Sequence, residues 1–215
     1  ADIIQQAMSE LQEELSLPAS PYRMECYDIS HIQGTNTVGS MVVFENGRPK
    51  PAHYRRFKIK SVAGVDDYES IREVLRRRLK RLGEVRRAEQ KAGQGDEGNS
   101  AQTALDTWGI LPDLLLIDGG KGQLSAALEV LLELGLDDIP LASLAKENEW
   151  LYLPYAPEPI VLPRNSQAMY LVQRIRDEAH RFAITYHRNL RSKSSLRSPI
   201  DMVTGIGPKR KRMRL

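Results

Sequence analysis

Three residues of this sequence carry most of its chemical promise: Asp28, Asp118 and His180. Asp118 closes the stretch DLLLID (113–118), where four apolar residues give way to a carboxylate, then Gly119, Gly120 and Lys121. Asp28 lies in a second run of strand formers, Arg23 to His31, with Gly34 just beyond. A buried strand that delivers a carboxylate at its carboxyl end, beside a turn that admits a ligand, is a recurrent way of building an α/β active site. Two such carboxylates from distant strands suit a divalent cation, Mg²⁺ or Mn²⁺, which prefers oxygen donors and leaves positions for water and phosphate. Two ions about 3.5–4 Å apart would activate a water and steady the leaving oxygen of a phosphodiester. His180, in RIRDEAHRF, offers an imidazole able to ligate metal or move a proton, and His187 is a weaker candidate on the same helix. Plainer readings stay open on the residues alone: Asp118 as the cap of the next helix, and His180 as an exposed or structural side chain.

Other chemistries find less support. The two histidines do not form His-Glu-x-x-His, so a zinc peptidase is not indicated. Gly-Gly-Lys-Gly lacks the spacing of a nucleoside-triphosphate loop. Lys121 could neutralise a phosphate oxygen, or be a solvated lysine at a helix start. Cys26, the single cysteine, excludes an internal disulfide, fits a reducing compartment and reads as a small buried hydrophobe.

These side chains need a scaffold. Apolar positions at Ile4, Ala7, Met8, Leu11 and Leu15 mark a helix over 2–16, ended by Pro18 and Pro21. Strands are expected at 23–29, 37–44 and 52–60, with Asn46-Gly47 as a hairpin turn. Asp66 or Asp67 then starts a helix running to about Leu82. Residues 83–107, rich in Gly, Gln, Glu and Ser, read as a flexible surface insertion, possible helix at Glu84–Ala92 apart. A strand at 113–118, a helix at 122–134, a strand at 141–145, a small hairpin over 150–162 and a long helix at 166–190 follow. This order predicts an α/β fold: a three-stranded antiparallel meander extended by parallel strands through helical crossovers, with helices flanking the sheet. The 113–118 strand would enter beside the first strand and set Asp28 next to Asp118, the ribonuclease-H-like arrangement. The expected divisions are an N-terminal helix and linker (1–20), the ribonuclease-H-like domain (21–190) and a basic tail (191–215).

With 41% hydrophobic and 27% charged residues, 215 residues can bury a core. No apolar run approaches the roughly 18 residues of a membrane span, and no secretory signal is visible. The sequence opens without Met inside a helical pattern and ends in a basic run, so a fragment of a longer protein is expected. The net charge of +3 is unevenly spread. Arg76, Arg77 and Arg78 lie in one basic segment (72–87), and a second occupies 188–215, a distribution that points to a polyanion partner. Arg174, Arg176 and Arg181, around His180, also suit phosphate. Gly205-Ile206-Gly207-Pro208, followed by Lys209 and Arg210, is similar to the hairpin of a helix-hairpin-helix, truncated before its second helix.

Taken together, ECYDISHIQG, SMVVFENG, YRRFKIK, DDYESIREVLRRR, LPDLLLIDGGKGQL, QRIRDEAHRFA and TGIGPKRKR resemble the C-terminal endonuclease half of the UvrC family. That resemblance implies a ribonuclease-H-like fold and an Asp-Asp-His metal site on Asp28, Asp118 and His180. Asp67, in DDY, matches a further acidic position linked to the family's activity. It also implies a bacterial, cytoplasmic enzyme that makes the 5′ incision in lesion-bearing double-stranded DNA during nucleotide excision repair, with UvrB as partner and UvrA upstream. The competing readings are a non-catalytic DNA-binding module using the basic segments, and a ribonuclease-H-type nuclease acting on another nucleic acid.

Overall fold

A computed structural model of the chain describes residues 2–32, 36–60, 66–93 and 107–195. Helix α1 (Asp2–Glu14) leads into strands β1 (Arg23–Ile32), β2 (Asn36–Glu45), β3 (Arg48–Pro49) and β4 (Arg55–Lys58). Helix α2 (Asp67–Ala92), β5 (Leu114–Asp118), α3 (Lys121–Glu133), β6 (Leu141–Ala145), β7 (Trp150–Tyr152) and α4 (Gln167–Ser195) follow. The strands form one mixed sheet in the order β3-β2-β1-β5-β6-β7, with β4 also on β2. β1, β5 and β6 are parallel, while β2 and β7 run antiparallel to their neighbours. The expected meander, the crossovers and the β1–β5 neighbourhood are all present. Parallel pairing buries β5 on both faces, which is why Leu114 to Ile117 read as an unbroken apolar run.

Some boundaries differ from expectation. The strand placed at 52–60 is only β4, because Pro51–His53 forms a 3₁₀ turn and Pro51 cannot donate to a ladder. The hairpin placed within 150–162 is reduced to one antiparallel bridge, Leu151 with Ile160, and β7 pairs with β6 on its other side. Helix α2 does not stop near Leu82 but continues to Ala92, so 83–92 is helix rather than insertion. Beyond Gly83 its last turns bury no apolar side chain: Val85, Ala88 and Ala92 are exposed among charged and polar neighbours. Residues 94–106, and the glycine hairpin with Lys209 and Arg210, lie outside the described residues. Among the described residues no helix is long and apolar enough to cross a membrane.

Alternation along β1 assigns its two faces. Glu25 on one face meets Arg78 of α2, whereas Asp28 on the other shares a cleft with His180 of α4. Helix α4 therefore covers the Asp28 face and α2 the opposite one. Helix α1 lies against α4, burying Ala7, Met8 and Leu11 in the common core. Glu10 of α1 accepts from the Ala168 backbone N–H at 3.0 Å, and Ser166 Oγ accepts from Met169 N at 3.1 Å. Together they satisfy open donors at the start of α4 and anchor the helix that carries His180.

The α2 face holds the main polar cluster of the interior. Arg78 is fully buried and donates to Glu25 through Nε (3.1 Å) and Nη2 (2.8 Å). Arg23 Nε reaches the same carboxylate at 3.0 Å, and Tyr27 Oη donates to it at 2.5 Å. The expectation that Arg78 contacts DNA is therefore corrected: its guanidinium has no path to a phosphate. Removing one partner of such a buried pair strands the other charge. Arg78→Met is expected to lower unfolding free energy by about 3 kcal/mol or more. A denaturant titration that shifts the midpoint at constant slope would show it.

Candidate active site

The site begins with the register of β1 against β5. Cys26 pairs with Leu116 and Tyr27 with Ile117, so Asp28 and Asp118 follow at the carboxyl end of the two parallel strands. Both carboxylates are nearly buried, Asp28 at 5% exposure and the Asp118 side chain at 4%. Asp118 is not the cap of α3. Gly120 occupies the N-cap position, and Gln123 Oε1 accepts from its backbone N–H at 3.0 Å. Gly119, at φ 153°, turns the chain between strand and helix, and a Cβ there would sit 2.7 Å from Gln123 Cγ. Only glycine fits that turn, and the Asp118 side chain lies beside Asp28 rather than over the helix start.

Two carboxylates side by side out of water repel, and the structure shows the consequence. Burial first, and then the Asp118 charge, push Asp28 from its ordinary 3.8 up to about 7. Lys146, at the end of β6, opposes this: its Nζ lies 3.4 Å from Asp118 Oδ2 and its charge favours ionised Asp28. Asp118 Oδ1 is buried and accepts no hydrogen bond among the described residues. An uncompensated carboxylate oxygen beside a second carboxylate is a donor set suited to a hard cation. Cys26, beneath them, is buried, and its thiol is pushed well above its usual range by burial and by both aspartates. It behaves as the small hydrophobe expected, not as a nucleophile.

The cleft above Asp28 has a volume of about 440 Å³. His180 and Lys146 line it together with Asp28. Among the described residues no three His, Cys, Asp or Glu side chains have already converged to metal-binding distance. The two aspartates are thus assembled, and His180 is exposed on the facing wall. Asp67 is at the first turn of α2, after the Asp66 cap, and its charge adds to the upward push on Asp28. It is held by His31, whose Nε2 lies 2.6 Å from Asp67 Oδ1 and whose Nδ1 lies 3.0 Å from Thr37 Oγ1.

The basic residues divide. Lys121 Nζ turns from the carboxylates toward the Pro157 carbonyl (3.3 Å) and the Tyr152 ring (5.2 Å). Arg76 is bonded to Glu133 and Arg77 to the Lys58 carbonyl. Arg176 pairs with Glu149 at 2.9 Å, Arg181 with Glu178, and Arg174 is exposed on α4. Sequence reasoning missed Lys146 and His31. Lys146 had a visible signal, since LASLAK repeats the pattern of an apolar strand that ends in a charge. The His31–Asp67 contact had none, because it joins residues 36 positions apart across two elements.

Comparison with known proteins identifies the family of the chain. The family model described as the UvrC RNAse H endonuclease domain matches residues 12–184. The UvrABC system protein C of Symbiobacterium thermophilum is 53% identical over 211 residues, which cover 95% of this chain and 33% of that protein. That of Dehalococcoides mccartyi strain BAV1 is 51% identical over 207 residues, covering 96% of this chain and 31% of that protein. The chain thus spans about a third of the length of these curated relatives. A crystal structure of Ciona intestinalis endonuclease V aligns with 88% of this chain and 98% of its own, at 12% identity and a TM-score of 0.37.

The carboxylate pair sets a pH dependence with a defined sign. The folded protein holds a proton on Asp28 that the unfolded chain has already released, so metal-free stability falls as pH rises from about 4 to about 7. Thermal melts in a chelator should show this slope, and Asp118→Asn should flatten it. An unchanged slope in Asp118→Asn would mean that Asp118 is not what loads Asp28.

Proposed function

The chain belongs to the UvrC RNAse H endonuclease domain family, and on that premise we propose that it is the 5′-incising DNA endonuclease of nucleotide excision repair. The observation that carries this reading is the buried Asp28–Asp118 pair with its unsatisfied Asp118 oxygen. Asp28 and Asp118 would hold Mg²⁺ or Mn²⁺, and His180, on the facing wall, would complete the set or carry a proton. When bound, such a cation lowers the pKa of water and stabilises charge on a phosphodiester oxygen. The chain's own residues do the rest. The dry notch between β1 and β5 strengthens every charge interaction within it. Lys146, 63% exposed and held among the described residues through its Nζ to Asp118, can swing to meet the negative phosphate. Asp67, steadied by His31, keeps a further carboxylate beside the site.

The substrate in this reading is double-stranded DNA carrying a lesion. UvrB is the direct partner, with UvrA acting earlier, in the cytoplasm of a bacterium. The relatives' shared name, UvrABC system protein C, supports that assignment. Lesion recognition then rests with the partners, and this domain needs only backbone contacts to the strand it cuts.

The decisive assay supplies UvrA, UvrB, Mg²⁺ and a lesion duplex already nicked on the 3′ side to the full-length protein. Asp118→Ala is expected to lower the 5′ incision rate on the order of 10²-fold or more while DNA binding persists. His180→Ala should also lower the rate. Equal cutting by wild type and Asp118→Ala would refute the site.

A further inference from the structure

The two basic segments of the sequence meet different fates in the fold. On α2, Arg72 pairs with Glu129 and Glu69, Arg76 with Glu133, Arg77 with Glu73 and Arg86 with Asp138, while Arg78 is buried on Glu25. Each of these cations already faces a carboxylate, so a phosphate would have to displace that acid to gain the charge. Helix α4 is arranged differently. His180, His187, Arg188 and Arg191 recur along one helical face and line the same cleft as Asp28 and Lys146. Arg188 and Arg191 make no hydrogen bond or ion pair among the described residues. Ala183 and Ile184 between them keep the wall smooth and free of competing acids.

We propose that this face of α4 is the track for the DNA backbone leaving the cut site, with Arg188 and Arg191 on successive phosphates. The acid-paired arginines of α2, Arg72, Arg76, Arg77 and Arg86, are structural and take no part. The dimensions fit. The eleven helical steps from His180 to Arg191 rise about 16 Å, and duplex DNA presents one phosphate per strand every ~3.4 Å of its axis. The face therefore reaches a few nucleotides from the carboxylates. Burial and the Arg191 charge hold the His187 imidazole below its ordinary range, which leaves it a neutral hydrogen-bond donor among the arginines. The track extends the nuclease reading of Asp28 and Asp118, but its test does not depend on cutting.

Binding of a fluorescent DNA duplex is measured by anisotropy in a chelator, over a series of salt concentrations. Three forms of the 215-residue chain are compared: wild type, Arg188→Gln with Arg191→Gln, and Arg76→Gln with Arg77→Gln. Loss of two phosphate contacts makes the log–log salt slope shallower by about 2. The α4 double variant should show that change and bind at least tenfold more weakly at low salt. The α2 double variant should keep the wild-type slope. Circular dichroism melts check that both variants fold. An α4 variant with the wild-type slope, an α2 variant that loses as much, or a wild-type chain without salt-dependent binding overturns the track. Incision by Asp118→Ala would instead overturn the nuclease site and leave the binding result standing.

Discussion

Parallel pairing of β1 with β5 is the constraint on which the rest of the molecule depends. It brings residues 90 positions apart in sequence to adjacent positions at the carboxyl edge of one sheet. Parallel strands need crossovers, so α2 must cross one face to deliver β5 beside β1. The pairing also forces two carboxylates into a space too dry for both to be comfortable. That electrostatic discomfort is a functional resource. A site whose two acids repel one another has a standing affinity for positive charge, and Lys146 meets part of it in the protein alone.

β1 serves two masters through its pleat. Its odd-numbered residues Arg23, Glu25 and Tyr27 build the ionic cluster with Arg78, and on the opposite face Cys26 is buried and Asp28 lines the cleft. A slip of one residue would point Asp28 at α2 and Glu25 at α4. Such a slip would leave Arg78 without its acid and His180 beside the wrong carboxylate. The buried pair thus gives β1 a reason to hold one register, in addition to the apolar pattern that surrounds it.

Much of this was legible in the sequence. Apolar runs ending in Asp marked both site strands, and element order alone placed them side by side. The core positions of α1 and α2 followed from helical spacing, whereas α3, apolar on several sides, buries Ala126 and Val130 and leaves Leu132 half exposed against an expected stripe of Leu124, Ala127, Leu128, Leu131 and Leu132. Arg78 was misread because charge was counted by segment. Yet Ile71, Val74, Leu75, Arg78, Leu79 and Leu82 fall on one stripe of α2, so its periodicity already placed Arg78 inward. The last turns of α2 were read mainly as insertion, because Val85, Ala88 and Ala92 make too thin a stripe among charged residues to set a helix apart. The pairing of Arg76 with Glu133 and of Arg72 with Glu129 depends on α2 lying against α3, which no local pattern reveals. The membership of residues 94–106 and 196–215 in any element lies outside what the structure describes.

Arg78 has a second set of contacts with a different consequence. Its Nη1 donates to the Trp108 carbonyl at 3.0 Å and its Nη2 to the Ile110 carbonyl at 2.8 Å. The point where the chain returns toward β5 is thereby fastened to the middle of α2, upstream of the helix end. Arg78 is therefore a rivet: the strand that ends in Asp118 sets out from a point pinned to α2, so the buried cation that holds the register of β1 also fixes where β5 begins.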